Sequence, residues 1–469
     1  MKELENHILE YRSGLIARDS FKHHHVKWGV YEQRKDGLYM VRSRMPGGKI
    51  TVNQLREVAN LAKIYGSGRL HISTRQEFQL HEIPLANLLT VIAKLNSIGL
   101  SSFAGGGNTV RNIVVSEWSG IKIGVPELSI FAESLTKLFL DDEDSIKLPR
   151  KFKIGFFYHD EVDNGRFQDL GFVLNEGGDS FKVYAGGGFG RNPSSGILLE
   201  EKISFNQVYE TAKSVRTLFY KHGNRENRNE ARLRYVLFKH GEERFRALYN
   251  EILANVKKSE NPKLDYSLKF NNSNNVSILI PIICGDISSG RVLELAGLLD
   301  GLGDDVVRLT QDQNIRLRDI PTKYQEELTG KISNLFAPVL KYAVSCSGVE
   351  TCRLGITDSR NLLRIINSVL SEKHLNSDIK IRISGCSNSC GNHLNADIGL
   401  AGKKGRYAVY VRSQPDSGLV PIGQLLGEIK EEDVPEFIKQ SIEIFEEIKN
   451  KRNEWKSHIE ALLKRFHGE

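Results

Sequence analysis

The stretch GKITVNQLREVANLAKIYGSGRLHISTRQEFQLHEIP, residues 48–84, occurs a second time in the chain in diverged form. Residues 285–321 align with it without a gap, and ten of the 37 pairs are identical, whereas chance in a chain of ordinary composition gives about two. The identical pairs include Gly48/Gly285 and Gln76/Gln313. Because an internal repeat marks a duplicated structural unit, the sequence predicts two related halves.

Each copy of the repeat has the same local pattern. Residues 39–45 and 276–284 are predicted to be strands, and a glycine turn follows each of them. Apolar residues at helical spacing come next, and residues 70–81 and 306–318 then alternate, which predicts one more strand in each copy. The order strand, helix, strand indicates an α+β fold with helices on one face of a sheet.

The repeat also predicts the domain organisation. The two halves cover about residues 1–245 and 265–450, and the polar stretch 257–275 joins them. Each half has a second part with a β-rich run followed by a polar turn, at residues 148–157 and 379–390. The charged tail, residues 431–467, predicts helices that pack on the surface.

Composition and charge exclude several classes of protein. Of 469 residues, 40% are apolar and 26% are charged, which is typical of a globular protein and not of a disordered or fibrous one. The net charge of +7 is spread along the chain, unlike the basic stripe of a nucleic-acid binder. The N-terminus has no apolar signal segment, and the longest apolar run is too short to span a membrane. We therefore expect a cytoplasmic protein that binds neither nucleic acid nor a membrane.

Four of the five cysteines form two pairs, Cys346 with Cys352 and Cys386 with Cys390, and the fifth, Cys284, is predicted to be a core residue. So few cysteines predict a reducing compartment and metal binding rather than disulfides. Structural zinc prefers closer spacing within a pair than the five residues that separate Cys346 from Cys352. This spacing and the glycines around Cys386 and Cys390 favour an iron–sulfur cluster. Zinc and unconnected cysteines are the alternatives.

The order Cys346-x5-Cys352, followed by GCSNSCG at residues 385–391, resembles the sirohaem-dependent sulfite and nitrite reductases. The resemblance implies that the quartet holds a 4Fe–4S cluster and that the sulfur of Cys390 is also the axial ligand of sirohaem iron. It implies an α+β fold of two pseudo-symmetric halves, each a ferredoxin-like half-domain followed by a mixed α/β domain that binds sirohaem and the cluster. The corresponding ranges are 1–110 and 265–335 for the half-domains, and 111–256 and 340–469 for the binding domains, the last with C-terminal helices.

Four further segments resemble the same family: VRSRMPGG (41–48), HISTRQEFQLH (71–81), GNTVRNIVVS (107–116) and LPRKFK (148–153). Sirohaem carries a ring of carboxylates, and burying it beside a small anionic substrate demands fixed cations and donors. The glycine-rich run AGGGFG, 185–190, is interpreted as a close backbone approach to the macrocycle. The resemblance implies substrate contacts from Arg42, Arg111, Lys151 and Lys153, and cofactor contacts from Ser73, Arg75, Gln79, Asn108, Arg150, Gln313, Asn314 and Cys390.

The resemblance implies a six-electron reduction of sulfite to sulfide. The chain has no second cysteine cluster and no Gly-x-Gly-x-x-Gly segment between a strand and a helix, so we expect a separate electron donor, ferredoxin or a flavoprotein. Lys153 stands where ferredoxin-dependent nitrite reductases typically carry Asn, which favours the dianion sulfite over nitrite. Nitrite reductase is the main alternative, and a cobalamin-pathway monooxygenase and a cofactor-free interaction or regulatory protein are the others. His71 stands where better-known assimilatory sulfite reductases carry an Arg for a sirohaem carboxylate.

Overall fold

A computed structural model of the chain describes residues 1–259, 261–262, 266–271, 274–412, 422–448 and 452–466. The helices of the first half are α1 (Lys2–Arg12), α2 (Arg18–Val26), α3 (Val52–Tyr65), α4 (Leu88–Ser97), α5 (Ser129–Leu140), α6 (Val162–Arg166), α7 (Val208–His222) and α8 (Leu233–Lys258). Its strands are β1 (Val30–Glu32), β2 (Leu38–Arg42), β3 (Lys49–Ile50), β4 (Arg69–Ile72), β5 (Phe78–Pro84), β6 (Val114–Val115), β7 (Ile154–Phe157), β8 (Leu170–Leu174), β9 (Ser180–Ala185) and β10 (Ile197–Ser204).

The second half repeats the order of the first from β2 onwards, apart from short helices. Its strands are β11 (Val276–Ile280), β12 (Asp286–Ser288), β13 (Val307–Leu309), β14 (Ile315–Ile320), β15 (Ala343–Ser345), β16 (Ile381–Ser384), β17 (Ile398–Lys403), β18 (Arg406–Val411) and β19 (Gln424–Lys430). Its helices are α9 (Ser289–Leu298), α10 (Gln325–Leu335), α11 (Gly348–Thr351), α12 (Ser359–Val369), α13 (Glu372–Leu375), α14 (Val434–Glu447) and α15 (Trp455–Arg465).

The two repeats exchange a short strand. β3 pairs antiparallel with β13, so that one sheet runs β11-β14-β13-β3. β12, the counterpart of β3 in the second copy, pairs antiparallel with β4 in a sheet that runs β1-β2-β5-β4-β12. One hydrophobic core accordingly includes residues of both repeats, from Leu4 to Ile332. The two repeats are related by a pseudo-two-fold axis and share one core.

Two glycines allow the exchanged strands to approach the opposite repeat. Gly48 and Gly285 both have positive φ, +70° and +68°. A Cβ atom at Gly48 would lie 2.2 Å from the Leu309 carbonyl oxygen, and one at Gly285 would lie 2.5 Å from the Ile72 carbonyl oxygen. Only glycine permits both this conformation and this approach. Because Ile72 and Leu309 are equivalent positions of the repeat, the two contacts are copies of each other.

Two glutamines bind the same carbonyl groups. Gln76 Nε2 donates to the Leu309 carbonyl at 2.9 Å, and Gln313 Nε2 donates to the Ile72 carbonyl at 3.0 Å. Both glutamines lie in left-handed turns, at φ of 59° and 63°. Their identity in the sequence repeat therefore has a structural cause: each one ties a turn of its own repeat to a strand of the other.

Two predicted strands are in fact hairpins. Residues 70–81 form β4 and most of β5 around a turn, with Leu70 opposite Leu80, and residues 306–318 form β13 and most of β14. The prediction of one strand in each segment is wrong because the polar turn residues continue the alternation that marks a strand. The reversal depends on Gln76 and Gln313 in the left-handed region, which glutamine seldom occupies.

Other predicted strands are shorter than expected. β2 ends at Arg42 and β11 at Ile280, and within 148–157 and 379–390 only β7 and β16 are strands. Cys284 lies in a turn at φ 57°, not in a strand, and it is fully buried in the core beneath α12, as a core residue should be. Glycine turns and loops therefore replace the ends of the predicted strands.

The second part of each half is a mixed five-stranded sheet. In the order β6-β7-β8-β9-β10 the first three strands are parallel and the rest are antiparallel. The order β15-β16-β17-β18-β19 has the same pattern. The prediction of an α+β fold with two pseudo-symmetric halves is thus confirmed. The four predicted domain ranges stay predictions, and residues 260, 263–265, 272–273, 449–451 and 467 of the predicted linker and tail lie outside the described residues.

The tail forms two helices that close the second mixed sheet. Phe437 and Ile438 of α14 and Ile459 of α15 are fully buried, and the rings of Phe445 and Trp455 meet at 5.6 Å between centroids. Across the described part of the chain, no helix has the length and hydropathy needed to cross a membrane.

Replacing either exchange glycine by alanine should destabilise the protein. We expect Gly48→Ala and Gly285→Ala to cost about 2–4 kcal/mol each, because each adds a clash to the strain of a positive φ. The urea midpoint followed by circular dichroism measures the effect. Gly301→Ala is the control, since Gly301 has φ +83° with nothing within 4 Å of its Cβ position. Equal losses in all three variants would contradict the close-approach argument.

Candidate cluster and anion-binding site

Two loops at one sheet edge carry the four cysteines. β15 and β16 are parallel neighbours, and Cys346 follows the first while Cys386 follows the second. Because the carboxyl ends of parallel strands meet at the same edge, the two loops come together. The Gly385 N–H donates to Cys346 Sγ at 3.0 Å, and the Leu354 N–H donates to Cys352 Sγ at 3.4 Å. The structure therefore groups the predicted ligands and points backbone donors at two of the sulfurs.

The thiols influence one another electrostatically. Burial raises the pKa of Cys346, and the neighbouring Cys390 thiol raises it further. Burial also raises the pKa of Cys386, with Cys390 and Cys352 as further contributors. A thiolate ligand in such a setting needs a metal centre to offset its charge.

The spacing of the cysteine sulfurs distinguishes between metal centres. Among the described residues, the only three or more ligand atoms that lie mutually within 4.8 Å belong to Glu3, His7 and His24, and not to the cysteines. A tetrahedral zinc ion would hold its four sulfurs about 3.8 Å apart. An iron–sulfur cluster binds each cysteine at a separate iron and so accepts wider spacing. The arrangement fits a cluster better than a single zinc ion.

Arg42 and Arg111 meet at one carbonyl group. Arg42 Nη1 donates to the Gly105 carbonyl at 3.3 Å, and Arg111 Nη1 donates to the same carbonyl at 3.0 Å. The Nε atoms of both arginines are buried without a hydrogen-bond partner among the described residues, and the buried Glu77 carboxylate lies 3.7 Å from Arg42 Nε. Two adjacent guanidinium groups with unused donors favour an anion between them.

Lys151 and Lys153 extend this positive wall towards the cysteines. Burial lowers the pKa of Lys151 to about 8, and Cys390 opposes this effect while Arg232 adds to it. Burial, with Arg75 and Lys151 as further causes, holds the pKa of Lys153 well below its usual range. The interaction of Lys151 with Cys390 joins the anion-binding wall to the cluster loops.

Further guanidinium nitrogens lie unused around the glycine-rich loop 185–190. Arg166 Nε and Arg234 Nε and Nη1 are buried without a hydrogen-bond partner in the described part of the chain. A Cβ atom at Gly188 would lie 2.9 Å from Arg234 Nη1 and 3.0 Å from Arg232 Nη2. The loop thus leaves the guanidinium groups uncovered. A group of buried and unused donors of this kind fits a ligand that carries several carboxylates.

Asp169 anchors this group of cations. It is fully buried, and its carboxylate accepts from Arg232 Nε at 3.1 Å and Nη2 at 2.7 Å. The same carboxylate accepts the backbone N–H of Lys153 at 2.8 Å. One carboxylate therefore positions both a lysine and an arginine of the site.

Tyr31 is a site residue that the sequence did not reveal. Its hydroxyl accepts from the Gly107 N–H at 3.1 Å and from Arg111 at 3.3 Å, and the Arg42 guanidinium lies 5.5 Å from its ring centroid. Burial alone would raise the pKa of Tyr31, but Arg111 and Arg42 lower it to about 8. No motif marks Tyr31, whereas the pair Arg232 and Arg234, also missed, is visible as alternating arginines in ARLRY, residues 231–235.

Three predicted cofactor contacts are occupied by the protein itself. Arg75 donates to the Ile154 carbonyl at 3.0 Å, to Gln168 Oε1 at 3.2 Å and to the Asn112 carbonyl, so it ties its turn to β7. Gln313, described above, also accepts the Ser345 N–H. Asn314 bridges the backbone of residues 282 and 341. These contacts are structural, whatever else the side chains reach.

The remaining predicted contacts lie on one face of the first sheet or on loops beside it. Gln79 stands opposite Arg42 on β2 and opposite His71 on β4, and Ser73 accepts the Arg75 N–H at 3.2 Å. Asn108 is exposed on the loop before Arg111, and Arg150 is half-buried beside Lys151. Burial, aided by Arg228 and Arg232, lowers the pKa of Arg150 to about 10.

His71 is held by the second half of the chain. Its Nδ1 lies 2.9 Å from Asp286 Oδ1, on the exchanged strand β12, and 3.0 Å from Arg360 Nη2. Burial and Arg360 lower its pKa. The position at which the resemblance expects an arginine thus carries a histidine next to the buried Arg360 from α12.

The equivalent face in the second half is neutralised. Arg308 and Arg316 occupy the repeat positions of His71 and Gln79. Arg308 pairs with Glu127 at 3.2 Å, and Arg316 pairs with Glu117 at 2.9 Å. The two faces share a backbone but differ in their balance of charge.

Comparison with known proteins identifies the family to which the chain belongs. The family profile "Nitrite and sulphite reductase 4Fe-4S domain" matches residues 106–257 and 340–469, and "Nitrite/Sulfite reductase ferredoxin-like half domain" matches residues 31–98 and 272–334. The chain belongs to the nitrite and sulfite reductase family. Its cofactors are sirohaem and a 4Fe–4S cluster, and the widely spaced thiols and unused guanidinium donors fit both.

Some relatives are named nitrite reductases and others sulfite reductases. A "Ferredoxin--nitrite reductase" of Synechococcus elongatus is 28% identical over 84% of this chain and 85% of its own. A "Sulfite reductase [NADPH] hemoprotein beta-component" of Shewanella pealeana is 30% identical over 81% of this chain and 78% of its own. The solved structure of the NirA protein of Mycobacterium tuberculosis superposes with a TM-score of 0.81 at 20% identity, over 94% of this chain and 90% of that one, and so shares the fold. The enzyme therefore acts on sulfite or nitrite.

Breaking the buried Asp169 contact should weaken both the fold and cofactor retention. We expect Asp169→Asn to cost about 3–5 kcal/mol, because it leaves the buried Arg232 charge without a counterion. The urea midpoint and the sirohaem absorbance per chain measure the two effects. The control is Asp179→Asn, which removes an exposed pair with Lys202 and should cost less than about 1 kcal/mol. A similar loss in both variants would contradict the prediction.

Proposed function

We propose that this enzyme reduces sulfite to sulfide. The observation that carries the proposal is the group of basic side chains Arg42, Arg111, Lys151 and Lys153, of which Lys151 interacts with Cys390. Each fixed positive charge attracts a dianion about twice as strongly as a monoanion at the same distance. Lys153 stands where the resemblance places Asn in ferredoxin-dependent nitrite reductases. A dianion bound beside Lys153 would favour its charged form against the effect of burial, and this supports sulfite as the substrate.

The side chains of the site would bind the anion and supply protons. Arg42 and Arg111 would orient the substrate oxygens through their unused N–H groups. Lys151 at Nζ and Tyr31 at its hydroxyl would each hold a proton with a pKa of about 8. Such pKa values suit proton transfer near neutral pH to oxygens that leave as water. The bound cofactors supply the electrons.

The cysteine quartet would hold the cluster, and Cys390 would also face sirohaem. Cys390 is the most exposed cysteine of the quartet and lies on the side of Lys151. Arg150, Arg232 and Arg234 would pair with sirohaem carboxylates, with Ser73, Gln79 and Asn108 as further contacts. The burial of the arginines and their unused donors support this assignment.

A separate protein would deliver the electrons. The names of the relatives point to ferredoxin for one group and to an NADPH-dependent partner for the other. A net charge of +7 favours association with an acidic donor such as ferredoxin or a flavoprotein.

Nitrite reduction is the second candidate function. It is favoured by the named activity of the Synechococcus relative. The same basic side chains and cofactors would serve nitrite reduction. The choice between the two substrates therefore depends on how strongly Lys153 favours sulfite over nitrite.

Removing the Cys390 sulfur should abolish turnover. We expect Cys390→Ser to lower kcat by at least about 1,000-fold. One sulfur would contact both cofactors, and groups that act as a unit lose nearly all of their effect when one of them is removed. Electron paramagnetic resonance should show that magnetic coupling between haem and cluster is lost. Cys284→Ala, which removes a buried thiol outside the quartet, should keep both activity and coupling. A fully active Cys390→Ser enzyme would falsify the assignment.

Replacing Lys153 by asparagine should shift the substrate preference towards nitrite. We expect the ratio of kcat/KM for sulfite to that for nitrite to fall about tenfold or more, since removing a positive charge weakens the binding of a dianion more than that of a monoanion. The assay uses anaerobic enzyme with reduced viologen and measures sulfide and ammonia. Lys147→Asn is the matched control, since Lys147 is exposed and pairs with Glu143. An unchanged ratio in Lys153→Asn would show that specificity lies elsewhere, and a wild-type preference for nitrite would favour the second candidate.

A further inference from the structure

The first 27 residues form a helical hairpin with its own packing. Leu4 and Ile8 of α1 and Phe21 of α2 are buried. The rings of Tyr11 and Phe21 stack at 4.5 Å between centroids. Because apolar contacts fix the two helices against each other, polar side chains on their neighbouring faces are held in place as well.

Three metal-ligating side chains converge at the opening of this hairpin. One ligand atom each from Glu3, His7 and His24 lies within 4.8 Å of the other two, and no other set of this kind occurs in the described part of the chain. Glu3 and His7 are four residues apart on α1, so they share one helix face. His24 projects from α2 and supplies the third group from across the hairpin. Three separate turns of helix thus deliver ligands to one point.

The two imidazoles lie against each other. The rings of His7 and His24 stack at 3.5 Å between centroids with planes 16° apart. Because a metal ion lies in the plane of each imidazole that binds it, one ring must tilt for both histidines to reach a shared ion. Neutral imidazole is the form that binds transition metals.

We propose that Glu3, His7 and His24 form a zinc site that clips α1 to α2. Two imidazoles and one carboxylate are a donor set that Zn²⁺ uses with water in the fourth position. Hard cations such as Mg²⁺ and Ca²⁺ prefer oxygen ligands, so the two histidines argue against them. This site shares no residue with the cysteine quartet or with the side chains proposed to bind the substrate.

Lys27 is the internal competitor for the carboxylate. Its Nζ lies 2.6 Å from Glu3 Oε1, and both side chains are partly exposed. A zinc ion must therefore displace the Lys27 ammonium from Glu3. Removing the Lys27 side chain should strengthen zinc binding. No such effect is expected if the three side chains only pack against each other.

The clip would act on the loop that carries the substrate arginine. The Ala104 N–H donates to the Lys27 carbonyl at 2.6 Å, and a Cβ atom at Gly106 would lie 2.2 Å from the Val26 carbonyl oxygen. The end of α2 therefore packs directly against the loop before Arg111. Zinc at the hairpin would slow the opening of this contact.

Isothermal titration of the holoenzyme with ZnCl₂ tests the proposal. We expect one equivalent to bind, with affinity about tenfold or more weaker in His7→Gln and in His24→Gln. His23→Gln is the matched control, since His23 is the exposed neighbour of His24 on α2 and lies outside the cluster. Lys27→Ala should bind zinc more tightly than the wild type, and zinc should slow amide exchange in residues 1–27.

Two results would overturn the zinc site. One is an affinity of His24→Gln equal to that of His23→Gln. The other is zinc binding only in preparations that have lost iron, which would place the ion at vacated cysteines instead. Iron content measured on each sample, and zinc-edge anomalous scattering from crystals, separate these outcomes from binding at the hairpin.

Discussion

The exchange of β3 and β12 between the repeats is the constraint on which the rest of the structure depends. It requires backbone to pass within contact of backbone at Gly48 and Gly285, and the hydrogen bonds of Gln76 and Gln313 hold the same carbonyl groups. The cations of the site come from the first half and the cysteines from the second. Because the exchange fixes one half against the other, it also fixes the distance between the anion-binding wall and the cluster loops.

The site itself is electrostatically costly without its ligands. Arginines and lysines lie close together in the interior, and the unused nitrogens of Arg111 and Arg234 have lost water without gaining a hydrogen-bond partner among the described residues. Arg42 Nε has only the Glu77 carboxylate, at 3.7 Å. Asp169 offsets part of this cost through Arg232. A polyanionic cofactor would turn mutual repulsion into attraction, so stability and cofactor binding are linked in this protein.

Much of this organisation was readable from sequence, and the rest was not for identifiable reasons. The repeat and the cysteine quartet are patterns of residue identity and spacing, which survive without coordinates. The hairpins were missed because the turns at Gln76 and Gln313 carry no glycine or proline. Arg75, Gln313 and Asn314 look like free polar groups in sequence, yet backbone carbonyls and amides from distant segments occupy them. Tyr31 joins the site only because the chain brings Gly107 and Arg111 to its hydroxyl.

The ion-paired arginines on the sheet face of the second half bear on how many polyanionic ligands the chain would bind. A duplicated framework offers two equivalent sheet faces, one with His71 and Gln79 and the other with Arg308 and Arg316. Arg308 and Arg316 already have Glu127 and Glu117 as counterions, so a polyanion entering there would have to separate existing ion pairs. The existing ion pairs would thus oppose a second polyanion on that face without any steric barrier.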